Sequence, residues 1–120
     1  MIAKTTTCVC GAPTRAQQIA ALNDAFRRSF DGGRTVVTAG ITALGPAALA
    51  TIIQKVRAFD RFEEGNDPFG EHDFGSIKQS GTVIFWKIDY YDSDLRGSSP
   101  DPADPAVTTR VLTIMRGDEY

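Results

Sequence analysis

His72–Tyr91, HDFGSIKQSGTVIFWKIDYY, is the stretch that decides the fold. Two strand-like runs, 72–79 and 82–91, flank Ser80-Gly81, and a two-residue Ser-Gly link predicts a tight β-hairpin. With that turn fixed, Gln79 faces Thr82, Ile77 faces Ile84 and Gly75 faces Trp86. A glycine beneath a large aromatic is a favourable cross-strand arrangement. Ile77, Ile84, Trp86 and Ile88 then share one face, which must be the helix-covered one. A slip of one residue would turn the whole apolar set to solvent. The other face is mixed, with Phe74, Phe85, Lys87, Asp89 and Tyr91. The same register sets His72 opposite Asp89, with Glu71 and Lys87 nearby, and points Asp73 to the core face.

Upstream, Thr14 and Gln17 have the spacing of a capping box. Ile19, Leu22, Phe26 and Phe30 follow as one apolar helical stripe, and Arg15, Gln18, Arg27 and Arg28 are expected off it. Asp31-Gly32-Gly33 ends that helix. Arg34–Thr38 is short and β-branched, a strand. Residues 40–45 read as a connection. Pro46 opens a second helix whose stripe is Leu49, Ile52, Ile53, Val56 and Phe59, running out near Phe62. Residues 63–71 are a turn-rich acidic loop and 92–105 a Pro-, Ser- and Asp-rich one. A helical turn at 106–109 precedes Arg110–Arg116, which is apolar on both faces and is the expected central strand. The element order is α-β-α-β-β-β. It predicts a two-layer α+β domain over 14–120, with a small, mostly antiparallel sheet on two amphipathic helices, behind an N-terminal arm at 1–13.

The chain has 120 residues, 42% apolar and 23% charged, ordinary values for a globular protein. No apolar run has the length of a transmembrane helix, and Met1–Gly11 lacks the apolar stretch of a signal peptide, so a membrane partner is not expected. A net charge of −2 argues against general nucleic-acid binding. The charge is uneven: residues 1–59 carry +5 and residues 60–120 carry −7. That polarity suits an electrostatically steered partner, and it also permits a homodimer. Cys8 and Cys10 are the only cysteines; their C-x-C spacing fits neither a redox nor a zinc motif, and they read as free thiols in a reducing cytoplasm.

Two functional readings follow from the residues. In the first the chain is an interaction protein. Its acidic loops, with Asp67, Phe69, Tyr90, Tyr91, Asp92, Asp94, Asp101 and Asp104, would grip a protein partner with a basic surface. In the second it is a metal-assisted hydrolase, in which His72, Asp89 and Glu71 hold an ion or act as acid and base while Lys87 stabilises an anion. A plain cross-strand ion pair, of roughly 0.2–1 kcal/mol, accounts for the same four residues without any activity. No phosphate loop, dinucleotide fingerprint, EF-hand loop, nucleophile elbow or H-E-x-x-H motif is present, so no cofactor is expected.

Four blocks in order, ALNDAFRRSF (21–30), GEHDFG (70–75), FWKIDYYD (85–92) and DPADPAVTTRVLTIM (101–115), resemble the domain of unknown function 3768 family. That family comprises short bacterial proteins, often borne on plasmids or integrated elements. The resemblance spans about residues 14–120. It implies a cytoplasmic accessory protein of mobile DNA, acting by stoichiometric binding, with inhibition of a host defence nuclease expected by analogy of context. It carries over no catalytic residue.

Overall fold

The computed structural model describes residues 12–120; most of the expected N-terminal arm, with Cys8 and Cys10, lies outside them. Helix α1 spans Arg15–Ser29, strand β1 Gly33–Val37, the one-turn helix α2 Ala39–Thr42, and helix α3 Pro46–Ala58. Strands β2, β3 and β4 follow at Phe74–Gln79, Thr82–Tyr91 and Thr109–Arg116. The sheet order is β1-β4-β3-β2. Strand β1 runs parallel to β4 and the other two pairings are antiparallel, so the α+β sheet is mixed but mostly antiparallel. Strand β4 lies inside the sheet, where its apolar character on both faces puts it.

The hairpin has the expected register: Gln79 pairs with Thr82, Ile77 with Ile84 and Gly75 with Trp86. Ser80 and Gly81 both have positive φ, 52° and 83°, the backbone a type I′ turn demands. The ladder stops earlier than expected, at Phe74–Lys87. His72 has a left-handed φ of 57°, which takes it out of the strand and away from a pairing with Asp89. The last bond of this edge is Ile88 N–H to the Asp73 carbonyl, 2.9 Å.

Helix α1 begins with the expected capping box: Thr14 Oγ1 accepts the Gln17 N–H and Gln17 Oε1 accepts the Thr14 N–H. Helix α3 stops at Ala58, short of Phe62, because Phe59 turns extended. Phe59 and Phe62 fold back edge-on against Trp86, with ring centroids 5.4 and 6.1 Å away. The core gathers these rings with Phe26, Ile52, Val56, Ile84, Ile88, Leu112 and Ile114 between the helices and one sheet face. On the opposite face Phe74, Phe85 and Tyr120 cluster. The outer edge of β2 is guarded, since Lys55 Nζ donates to the Lys78 carbonyl at 2.8 Å.

Helix α2 replaces the connection expected at 40–45. Its N-terminus is served from far along the chain by Glu119, whose carboxylate accepts from Thr38 Oγ1 (2.7 Å), the Gly40 N–H (3.2 Å) and the Arg116 N–H (2.8 Å). A Cβ at position 40 would run into that carboxylate, so a larger residue there would push the Glu119 side chain off its three donors. The three bonds hold the Glu119 carboxyl below its ordinary pKa, the Arg116 N–H first among them.

Glycine 75 is more tightly constrained, since a Cβ would fall on the indole of the fully buried Trp86. Gly75→Ala is expected to cost roughly 1–3 kcal/mol through overpacking. Gly65→Ala, where nothing lies within 4 Å of the new Cβ, is expected to change stability by less than about 0.5 kcal/mol. Urea denaturation of the two variants side by side checks the contrast.

Candidate functional site

Helix α1 turns three polar side chains inward at 23, 24 and 27. Arg27, expected off the apolar stripe, is fully buried. Its guanidinium donates to the Val56 and Arg57 carbonyls at the end of α3 (2.9 and 3.2 Å) and to Asp24 Oδ1 (2.9 Å). It also sits over the rings of Phe62 and Trp86, 5.5 and 5.1 Å from their centroids. Burial lowers its pKa and the Asp24 carboxylate opposes that shift. One cation therefore caps the C-terminus of α3 and ties α1 to it.

The second Asp24 contact is His72. Its Nδ1 lies 3.0 Å from both carboxylate oxygens. The imidazole stacks on Phe62, 3.9 Å between centroids and 3° from parallel. Nε2 faces Asp67 Oδ2 at 3.7 Å, and Asp67 Oδ1 accepts the His72 N–H. The 67–72 loop is thus closed on itself and docked on α1.

Asn23, fully buried, is the hub of an adjoining network. Its Nδ2 donates to the Glu71 carbonyl (2.9 Å) and to Tyr90 Oη (2.8 Å), and its Oδ1 accepts from Arg110 Nε (2.7 Å). Tyr90 Oη donates to Glu71 Oε1, and Arg110 donates to the Pro102 carbonyl. Burial pushes the Tyr90 phenol well above its ordinary pKa and lowers that of Arg110. Through Glu71 and Pro102 the network fastens both acidic loops to the body of the fold. These loops leave the same end of the β2–β3 hairpin.

The four residues expected to form one catalytic corner are divided by this arrangement. His72 belongs to Asp24 and Asp67, and Glu71 to Tyr90. Lys87 and Asp89 pair with each other at 3.0 Å, two residues apart along β3, and that bond raises the Lys87 pKa. Both His72 nitrogens face carboxylates, Asp24 at 3.0 Å and Asp67 at 3.7 Å, so the ring staples the 67–72 loop to α1. Among the described residues no group of three or more His, Cys, Asp or Glu side chains is placed to hold a metal ion.

The expected partner-binding residues also separate. Asp67 is buried and Tyr90 is half-buried in the network, so neither is a surface anchor. Asp101, Asp104 and Asp92 accept N–H bonds from Ala103, Ala106 and Arg96 within their own loop. Asp101 also pairs with Arg15 at 2.6 Å, and these contacts hold its carboxyl below the ordinary range, the Ala103 N–H foremost. Phe69, 79% exposed, and Tyr91 and Asp94, both exposed, are left facing solvent. A cleft of about 470 Å³ opens between the end of β3 and residues 98–102, lined by Asp73, Asp89, Tyr91 and Ser98. Burial first, and then the neighbouring Glu71, hold the Asp73 carboxyl above its ordinary pKa.

Residues 37–119 match the family described as protein of unknown function (DUF3768), and the chain belongs to that family. Helix α1, with Asn23, Asp24 and Arg27, lies outside the matched residues. No curated protein and no solved structure matches the chain.

Two outcomes test this account. Asn23→Ala leaves Arg110, Tyr90 and the Glu71 carbonyl without their shared partner, and is expected to cost about 3 kcal/mol in chemical denaturation. Asp73 has a raised folded-state pKa, so its charged form opposes folding once pH exceeds the unfolded-state value. Asp73→Asn should therefore raise the melting temperature at about pH 7, and the gain should vanish by about pH 3, where the unmodified carboxyl is neutral in both states.

Proposed function

With family membership fixing kinship and leaving activity open, we propose that the protein acts by stoichiometric binding of a protein partner that presents a basic surface. The observation that carries this reading is Phe69, 79% exposed on an acidic loop whose base is locked by the His72 and Glu71 contacts. A large apolar side chain held out in solvent on an anchored loop gains contact area at little ordering cost. On the two acidic loops, Glu63, Glu64 and Asp94 are exposed and form no ion pair among the described residues. That leaves their field available to steer a cationic surface. The cleft between Asp73 and Asp89 is of a size to take one basic side chain of such a partner.

The finer form of the reading is a cytoplasmic protein of mobile DNA whose target is a host defence nuclease. Its support is physical analogy: a nuclease groove is built to receive spaced phosphates, and carboxylates on two fixed loops offer the same sign of charge. The hydrolase reading has lost the juxtaposition that motivated it.

Tagged protein is expected to capture one partner from host lysate at low salt and release it at high salt. Phe69→Ala should weaken that complex about 30-fold, and Asp94→Lys should slow association. Capture that survives both substitutions and high salt would refute the reading.

A further inference from the structure

A cleft of about 540 Å³ lies where the end of α3 meets the edge strand β2. Lys55, Arg61 and Lys78 line it, over a wall formed by Phe59 and Ile77. None of these three cations, nor the neighbouring Arg57, forms an ion pair among the described residues. Two of them are nonetheless fixed in place. Lys55 Nζ donates to the Lys78 carbonyl, and Arg57 Nε donates to the Arg28 carbonyl at 2.7 Å with its guanidinium over Phe30.

The chain leaves this cleft directly into a turn that presents carboxylates. Asn66 clamps the turn, donating to the Arg61 carbonyl and accepting the Glu63 N–H, both at 2.9 Å. Glu63 and Glu64 are exposed there without an ion pair. Asp60 and Arg61, adjacent and opposite in charge, are likewise exposed and unpaired. A cation-lined cleft thus runs within two residues of chain into a carboxylate turn, and adjacent sets of opposite charge are self-complementary across a two-fold axis, where residue i meets residue j of the second copy and j meets i.

We propose that this surface is an isologous homodimer interface. Glu63 and Glu64 of each copy reach Lys55 and Lys78 of the other, and Asp60 and Arg61 pair across the axis. A phosphate backbone fits the cleft less well, because Asp60 lines it and the chain as a whole is acidic. Strand addition at this edge is opposed by Lys55, which already occupies the Lys78 carbonyl. The interface uses none of Phe69, Tyr91 or Asp94; it shares Glu63 and Glu64 with the partner-binding reading and is distinguished from it by Lys55 and Lys78.

Sedimentation of the purified chain alone tests it. The expected result is a monomer–dimer equilibrium at about 50 mM salt that shifts to monomer at about 500 mM. Lys55→Glu/Lys78→Glu should weaken the dimer at least about tenfold, and so should Glu63→Lys/Glu64→Lys. Circular dichroism melts establish that both variants fold. Mixing them should restore a dimer, because each loop then meets a cleft of opposite sign in both halves of the interface. A chain that stays monomeric at every concentration, a dimer indifferent to either double substitution, or a mixture that stays monomeric would overturn the proposal. So would a monomer that binds a labelled oligonucleotide and loses it on Lys55→Glu/Lys78→Glu, which would give the cleft to a polyanion.

Discussion

The buried guanidinium of Arg27 is the constraint from which the rest of the arrangement hangs. A desolvated cation is tolerated only where its charge is answered, and here α3 carbonyls, Asp24 and two aromatic faces answer it at both terminal nitrogens, while Nε is buried without a hydrogen-bond partner. Asp24, held by Arg27, in turn positions His72. His72 lies flat on Phe62, and Phe62 packs edge-on to Trp86. A chain of contacts therefore runs from helix to helix end, to loop, to the centre of the sheet.

The parts of the fold legible in the sequence were those governed by short-range patterns. Ser80-Gly81 and the alternating isoleucines set the hairpin register, and Thr14 with Gln17 set the start of α1. Residues whose role depends on distant partners were opaque. Gly40 reads as part of a connection until Glu119 is seen serving the helix turn there. Arg27 reads as a surface residue because charge outranks position in a pattern, although it lies one turn from Asn23 and next to Phe26 on the inward side. His72 was extrapolated along a strand that its left-handed backbone terminates. For the site, the sequence groups Glu71 and His72 with Lys87 and Asp89, but their partners Asn23 and Asp24 come from a helix far away in sequence, and no local spacing announces them.

The polar networks and the acidic loops form one design. Loops rich in Asp, Pro and Gly carry little apolar area to bury, so hydrogen bonds to α1 and β4 must fix them. The carboxylates that cap their own turns maintain loop shape, while the uncapped ones remain for the surface. The division between structural and available acids is therefore decided residue by residue, by which backbone N–H lies within reach.

The sheet order has a consequence for how the chain acquires its structure. Strand β1 hydrogen-bonds only to β4, with Gly33 beside Arg110, so an early strand waits for a late one. While the polypeptide emerges during synthesis, α1 and β1 have no ladder to join, and the β2–β3 hairpin can zip locally long before the sheet exists. Closure costs the loop entropy of about two-thirds of the chain in one late event, since Gly33 pairs with Arg110. Folding should accordingly be slow for a chain of this size and follow emergence of β4, and until then β1, with Val36, is unpaired on both sides and open to premature association.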